Sequence, residues 1–114
     1  MKTIIAEASF VTTSPRKLRL IADGVRGVPI PRMVDQLRML PQTAARELLA
    51  VVRQAIGNAK TNFHLSPENL QLHSLEVQEG PRFKRRDAHA HGARFDSGVR
   101  RRRMSHIKVI LKTT

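Results

Sequence analysis

The last third of this chain limits what it can fold into, because it carries too much charge and too few apolar side chains to enter a core. Residues 80–114 contain 11 Lys and Arg against two Asp, a net charge of +9, whereas the 79 residues before them contain 10 against seven acidic residues. The apolar runs 70–77 and 107–111 bracket the most basic part and hold it at both ends. Charge concentrated in this way predicts a polyanionic partner, either a nucleic acid or an anionic membrane.

The overall composition is typical of one small domain. A chain of 114 residues leaves only about 80 for a core if the basic stretch stands off the body. The absence of cysteine excludes a disulfide framework and thiolate metal sites, and it fits a reducing compartment. Residues 1–13 lack the pattern of a secretory signal, and no run approaches the ~18 apolar residues of a membrane span. We therefore expect a soluble, intracellular protein.

Three helices are predicted before the basic stretch. Ser14-Pro15 is typical of a helix start, with the Ser oxygen as cap, and Gly27 is placed to end this helix. Apolar spacing predicts a second helix over residues 31 to about 40, with a stripe of Val34, Leu37 and Leu40, and a long third helix over residues 45–63. Cations in the first turn oppose the dipole of the first helix, so another interaction is expected to require Arg16, Lys17 and Arg19.

Strand periodicity appears at both ends of the chain. The first strand spans Thr3 to Val11, with an inward face that consists of Ile4, Ala6, Ala8 and Phe10. A second strand over residues 70–77 changes phase once, which indicates a bulge near His73 and Ser74. A last strand covers residues 107–111, where only Ile110 breaks the alternation. Antiparallel pairing of the last two strands would make the residues between them a long hairpin that turns near His91-Gly92.

The two arms of this hairpin carry most of the cations. The run 100–103 is all arginine, and each guanidinium offers forked donors that suit phosphate. Alone, such a run is equally typical of a nuclear import signal or a solvated patch. The opposite arm favours nucleic acid because it holds five further cations, namely Arg82, Lys84, Arg85, Arg86 and Arg94. The two arms would place like charges opposite each other, and an anionic partner would relieve that repulsion.

Phe83 and Phe95 lie among these cations and are half of the aromatic residues. Two interpretations stay open with equal weight. The rings could stack on bases or fill an RNA crevice, or they could cover each other or the root of the hairpin.

Catalytic and metal-binding patterns are absent from the sequence. His89 and His91 could share one strand face, but no third ligand or cysteine accompanies them, so we predict a polar turn and no metal. There is no nucleophile with a base at a recognisable spacing, no glycine-rich phosphate loop and no carboxylate cluster. We expect neither an enzyme nor a cofactor.

Four segments together resemble the bacterial-type large-subunit ribosomal protein twenty-two family. They are SPRKLRLIADGVRG at 14–27, AIGNAKTN at 55–62, EGPRFKRR at 79–86 and SHIKVIL at 105–111, in the order and approximate spacing of the family. The resemblance implies an α+β fold in which three helices pack on a small three-stranded antiparallel sheet with a long protruding basic β-hairpin. It also implies a single domain over residues 1–114, with a body of about 1–78 plus 106–114 and a hairpin of about 79–105.

The function implied by the resemblance is structural. Members of the family bind large-subunit rRNA, support assembly and place the hairpin tip in the wall of the nascent-peptide exit tunnel. The rRNA-binding residues implied here are Arg16, Lys17, Arg19, Arg82, Lys84, Arg85, Arg86, Arg94, Arg100, Arg101, Arg102, Arg103 and His106. The implied tunnel tip consists of His89, Ala90, His91, Gly92 and Ala93.

The tip departs from the family pattern. Histidine and alanine stand at positions 89 and 93, where arginine is usual, and the loop is longer than usual. Because histidine is a weaker cation and Asp87 and Asp96 flank the tip, we expect weaker attraction to rRNA there than along the arms.

The expected partners are large-subunit rRNA, neighbouring large-subunit proteins and, near the tip, the nascent peptide, with no membrane and no homo-oligomer. The expected location is the cytoplasmic ribosome, and an organellar ribosome stays open. The alternative is a small architectural DNA-binding protein that uses the hairpin as a minor-groove arm. A peripheral membrane protein is a distant third, since the basic stretch lacks an apolar face.

Overall fold

The computed structural model describes residues 3–87 and 98–113. These residues form three helices, one short 3-10 turn and one sheet, in the order β1 (Thr3–Val11), α1 (Pro15–Val25), α2 (Ile30–Met39), α3 (Thr43–Phe63), the 3-10 turn Pro67–Asn69, β2 (Leu70–Asp87) and β3 (Gly98–Thr113). The strands pair antiparallel in the order β1-β3-β2, so β3 is central. The predicted α+β class, with three helices and a three-stranded antiparallel sheet, is confirmed.

The helices bury one face of the sheet. Leu18, Leu48 and Val52 from α1 and α3 pack with Val109 and Leu111 of β3, and all five are at most 1% exposed. The other face of the sheet is open, and there Ile5 pairs with Ile110 across β1 and β3. Ile110 breaks the alternation predicted for the last strand because it lies on this open face, opposite an Ile5 that is 48% exposed.

Helix α2 presents a different face from the predicted one. It begins at Ile30, one residue earlier than expected, and its buried residues are Ile30, Met33 and Leu37. The predicted stripe residues Val34 and Leu40 are only partly buried. Apolar spacing alone gave Met33 no special weight, yet its long side chain fills the core and is fully buried.

The ends of α1 follow the sequence signals only in part. Ser14 is extended and Pro15 opens the helix, but the Ser14 side chain makes no capping hydrogen bond, contrary to prediction. After the helix, Gly27 adopts a φ of 81°, as a helix-ending glycine does. The first turn of α1 therefore leaves backbone N–H groups without a side-chain acceptor.

Both edge strands contain an extra residue where β3 stays regular. In β2 the register shifts between Leu72 and Ser74, which confirms the predicted bulge near His73. In β1 it shifts between Ala8 and Val11, so Ser9 and Phe10 together face the single residue His106.

The bulge in β1 corrects the prediction for Phe10. This residue was expected on the inward face with Ile4, Ala6 and Ala8. Its φ of 57° turns the chain at that point, and the ring is 60% exposed. The inserted residue ends the two-residue alternation, which is why Phe10 leaves the core face.

Candidate nucleic-acid interface

A bulge marks the point where the hairpin leaves the body. Pairing of β1 with β3 ends at Val11 and Ser105, whereas β2 and β3 remain paired out to Asp87 and Gly98. At this point Gly80 and Pro81 of β2 lie opposite the single residue Met104, a shift that the sequence pattern did not predict. Pro81 is accommodated because a bulge in an edge strand does not need its missing N–H group.

Gly80 is required by the closeness of the backbones at this bulge. A Cβ atom built on Gly80 would lie 2.9 Å from the carbonyl oxygen and 3.0 Å from the carbonyl carbon of Met104. Real Cβ atoms do not approach backbone so closely. The two strands can therefore meet here only because one residue has no side chain.

Ser105 fixes the same point to the body. It is fully buried, and its Oγ donates a hydrogen bond of 2.7 Å to the backbone carbonyl oxygen of Thr13 in the loop between β1 and α1. The resemblance places Ser105 where the second arm returns to the body, but it does not reveal this bond. The root of the hairpin is thus held by a buried polar contact and by a close backbone approach.

One face of the ribbon collects cations from both arms. Arg82 pairs with Arg103, and Lys84 pairs with Arg101. Side chains of directly opposed residues lie on the same face, and alternate residues of a strand share it. All four side chains are exposed. We call these four residues the cationic face. The predicted juxtaposition of like charges across the arms is confirmed for these two pairs.

The other face of the ribbon differs in chemistry. Phe83 pairs with Arg102 there, and the Phe83 ring is 51% exposed. Met104, two residues from Arg102 along β3, is partly buried on the same face. We call Phe83 and Arg102 the aromatic face.

Several predicted residues are described only in their backbone or not at all. Arg85 pairs with Arg100, and Arg86 pairs with Val99, as part of the ladder. Outside the described residues lie Arg94, Phe95 and the predicted tunnel tip, residues 89–93. The prediction that His89 and His91 hold no metal concerns residues in this undescribed range.

The three predicted cations of α1 separate into two kinds. Arg16 and Lys17 are exposed. Arg19 instead donates from Nη2 to the carbonyl oxygen of Val77, at 3.1 Å, and its Nη1 lies 4.0 Å from Glu79 Oε1. The Arg19 guanidinium thus joins α1 to β2, although half of the side chain remains exposed.

Sequence reasoning missed a second arginine with this role. Arg26 donates from Nη2 to the carbonyl oxygen of Leu75, at 2.7 Å, and from Nη1 to Asp23. Arg19 and Arg26 are seven residues apart, or two helical turns, so they reach the same strand from one side of α1. Both bind carbonyl groups of β2, which is an edge strand and has no neighbour on that side. The spacing of seven was the available signal.

The first turns of α1 and α3 meet at a groove of about 680 Å³ that Lys17 also lines. Neither helix has an acidic residue in its first turn or a capping hydrogen bond from its N-cap side chain. The N-terminal N–H groups of a helix carry partial positive charge and favour anions. The starts of α1 and α3 therefore add partial positive charge next to the exposed cations Arg16 and Lys17.

His106 is held in one tautomer by the bulge in β1. The backbone N–H of Phe10 donates to His106 Nδ1 at 3.0 Å, and the two rings pack edge to face with centroids 5.1 Å apart. Because Nδ1 accepts a hydrogen bond, the proton of the neutral imidazole lies on Nε2. His106 therefore presents an N–H donor close to the root of the hairpin.

Two features are absent from residues 3–87 and 98–113. In these ranges no group of three or more His, Asp or Glu residues is arranged to hold a metal ion. No helix within these ranges has the length and hydrophobicity that a membrane span requires.

Comparison with known proteins identifies the family. The profile described as ribosomal protein L22p/L17e matches residues 6–112. The chain belongs to the L22p/L17e family. Large ribosomal subunit protein uL22 of Thermomicrobium roseum is 42% identical to it over 101 residues, which cover 89% of this chain and 83% of that protein. Two other uL22 proteins are also similar. That of Pseudothermotoga lettingae is 36% identical over 96% of this chain and 77% of its own length. That of Chloroflexus aggregans is 36% identical over 93% of this chain and 91% of its own length.

Membership of the L22p/L17e family confirms several predictions. The chain is a structural constituent of the large ribosomal subunit and is not an enzyme. A ribosomal location in the cytoplasm follows from the bacterial relatives of the L22p/L17e family, and the interpretation as a DNA-binding architectural protein is set aside.

Proposed function

We propose that this protein binds large-subunit rRNA through the basic ribbon and the exposed cations of α1, and that it supports assembly of the subunit. The observation that carries the proposal is the cationic face, in which Arg82 pairs with Arg103 and Lys84 with Arg101. Like charges opposed across a strand pair destabilise it, and phosphate groups placed between them would reverse the sign of that contribution.

The shape of the ribbon supports an embedded rather than a free hairpin. Outward from Ser105 the described part of the ribbon consists of β2 and β3, and the described residues extend 61 Å along the longest axis against 24 and 19 Å along the others. A two-stranded ribbon is marginally stable in water by itself. Packing between RNA segments supplies both the missing counterions and a surface on each face.

A second contact on the body involves the start of α1. Arg16 and Lys17 are exposed beside the groove where the first turns of α1 and α3 meet. Placing cations at a helix N-terminus has an energetic cost that a bound phosphate removes. The Nε2–H donor of His106 would add a third contact at the root of the hairpin, on the open face of the sheet. Arg19 contributes mainly through its bond to β2.

The tip of the hairpin is assigned by family likeness alone. We propose that residues 89–93 lie in the wall of the exit tunnel, close to the nascent peptide, while the body contacts neighbouring large-subunit proteins. The chain would act as a single copy in the particle. Arg85, Arg86, Arg94 and Arg100 would continue the rRNA contacts towards the tip.

Salt-dependent binding tests the role of the ribbon. The full-length protein and a double variant, Arg101→Gln with Arg103→Gln, are titrated with a large-subunit rRNA transcript between about 50 and 200 mM salt. Each phosphate contact contributes about 0.7–0.9 to the slope of log K against log salt, so the double variant should lose roughly 1.4–1.8 from the slope.

The matched control removes the same charge elsewhere. Arg38 and Arg53 are exposed on α2 and α3, outside both proposed contacts, and the double change of both to Gln should leave the slope close to that of the unmodified protein. Equal slopes for the two double variants would show that only net charge matters, and the proposed interface would be wrong. Co-sedimentation with large subunits in dissociating salt checks the assignment to the particle independently.

A further inference from the structure

We propose that Phe83, together with Arg102, forms a stacking site for one unpaired nucleobase of the rRNA. The two faces of the ribbon would then contact different parts of the same RNA, with phosphates on the cationic face and a base on the aromatic face. This inference rests on the proposed function and deepens it, because it assigns a base-recognising role to a residue that is not a cation.

The register separates Phe83 from the cations beside it in sequence. Arg82 and Lys84 flank Phe83 along β2, and both face the side that carries Arg101 and Arg103. Strand alternation turns Phe83 to the opposite side, where Arg102 is its cross-strand partner. The ring therefore lies directly opposite a planar, cationic side chain, and its neighbours in sequence on both sides, Arg82 and Lys84, are also cations.

The exposure of the ring argues against one part of the second interpretation, that Phe83 covers the root of the hairpin. A phenylalanine that covered the root of the hairpin would be buried, whereas Phe83 is 51% exposed. Among the described side chains of the ribbon, the ring has Arg102 opposite it and the partly buried Met104 as a diagonal neighbour towards the body. Half of a large apolar surface thus remains available to a partner.

Charge complementarity favours a nucleobase as that partner. A base offers a flat π surface to an aromatic ring and can also stack on a guanidinium plane, and its phosphates carry the negative charge that the neighbouring cations require. An apolar crevice in a protein would accommodate the ring but offer no anion to Arg102, which lies directly opposite it. An unpaired nucleotide offers a base to the ring and a phosphate to Arg102.

The position of Phe83 is suited to fixed recognition. It lies three residues from the Gly80–Pro81 bulge, where the close approach to Met104 and the buried Ser105 bond hold the ribbon to the body. A ring near an anchored point loses less freedom on binding than a ring on a freely moving strand. The stacking site therefore lies next to the point at which the hairpin is held to the body.

A tryptophan replacement reports directly on stacking. The chain contains no Trp and no Tyr, so Phe83→Trp introduces a single indole and keeps a π surface at the site. Titration of this full-length variant with the large-subunit rRNA transcript should quench the indole fluorescence, with a Kd no weaker than that of the unmodified protein. Met39→Trp is the control, since Met39 is 85% exposed at the end of α2, and it should show little quenching.

A leucine replacement separates stacking from charge. Phe83→Leu keeps an apolar side chain but removes the π surface, and it should weaken rRNA binding by about 5- to 150-fold, the range that base–aromatic stacking spans. The slope of log K against log salt should stay unchanged, because no phosphate contact is lost.

The outcomes distinguish the stacking site from the proposed function. If Phe83→Leu binds as tightly as the unmodified protein and the indole is not quenched, the stacking site is wrong while rRNA binding by the cationic face stands. A blue shift of the indole without quenching would indicate an apolar crevice and would also overturn the inference. Failure of the unmodified protein to bind the transcript at all would overturn both proposals.

Discussion

Replacing Gly80 by alanine should destabilise the fold at the root of the hairpin. The new Cβ would lie 2.9 Å from the Met104 carbonyl oxygen, 3.0 Å from its carbon and 3.2 Å from the Ser105 nitrogen. All three atoms are backbone of the central strand, so none can move aside as a flexible side chain would. Forcing one extra carbon into a packed site typically costs about 1–3 kcal/mol.

The expected change is measurable by thermal unfolding. A chain of this length loses about 4 °C in Tm per kcal/mol, so Gly80→Ala should lower Tm by roughly 4–12 °C. Gly57→Ala is the matched control, because Gly57 lies within α3 with nothing within 4 Å of an added Cβ. Alanine is the better helix former by about 1 kcal/mol, so that variant should gain stability. If Gly80→Ala unfolded at the temperature of the unmodified protein, the close backbone approach would not constrain the bulge as described.

Three further changes test other contacts. Ser105→Ala leaves the Thr13 carbonyl without its 2.7 Å donor and should cost about 1–3 kcal/mol of unfolding free energy in chemical denaturation, whereas an unchanged denaturation midpoint would show that the bond contributes nothing. Arg26→Gln should lower the free energy of unfolding by about 0.5–1 kcal/mol and leave rRNA affinity unchanged. Arg16→Gln should leave the free energy of unfolding unchanged and weaken rRNA binding, so identical effects of the two changes would contradict a structural role for Arg26 and a binding role for Arg16. In His106→Asn the amide oxygen can still accept the hydrogen bond from the Phe10 N–H, so this variant should keep its stability in calorimetry while binding rRNA more weakly in titrations. His106→Gln should lose about 1 kcal/mol of unfolding free energy in the same calorimetric measurement. Loss of stability in the Asn variant alone would refute the assigned tautomer.

Local periodicity was sufficient for much of the body. The long helix α3 was predicted because eight apolar residues follow one helical stripe, and the bulge near His73 was predicted because a single extra residue changes the alternation of leucines. These features are encoded by neighbours in sequence. The expectation of like charges across the arms also needed only an antiparallel pair with a turn between its strands.

The missed features depend on residues far apart in sequence. Phe10 continues an alternating pattern without fault, so only its pairing with His106, 96 residues away, reveals the bulge. The resemblance implies rRNA binding by Arg19, but it does not reveal that the guanidinium binds a carbonyl of β2, 58 residues away. The site was therefore predictable as a set of cations, but neither the division of those cations between two faces nor the bond of Arg19 to the edge of the sheet was predictable.

The extra residue at Gly80–Pro81 determines which side chains of β2 and β3 share a face of the hairpin. If the register before the bulge continued outward, Arg82 would oppose Arg102 and Phe83 would oppose Arg101. Arg82 and Lys84 would then turn to the open side of the sheet and Phe83 to the helical side, while the side chains of β3 would keep their faces. A single inserted residue at the root therefore decides which side chains of the two strands share a face. Deleting it would separate Arg82 and Lys84 from Arg101 and Arg103 while leaving the composition of the hairpin almost unchanged.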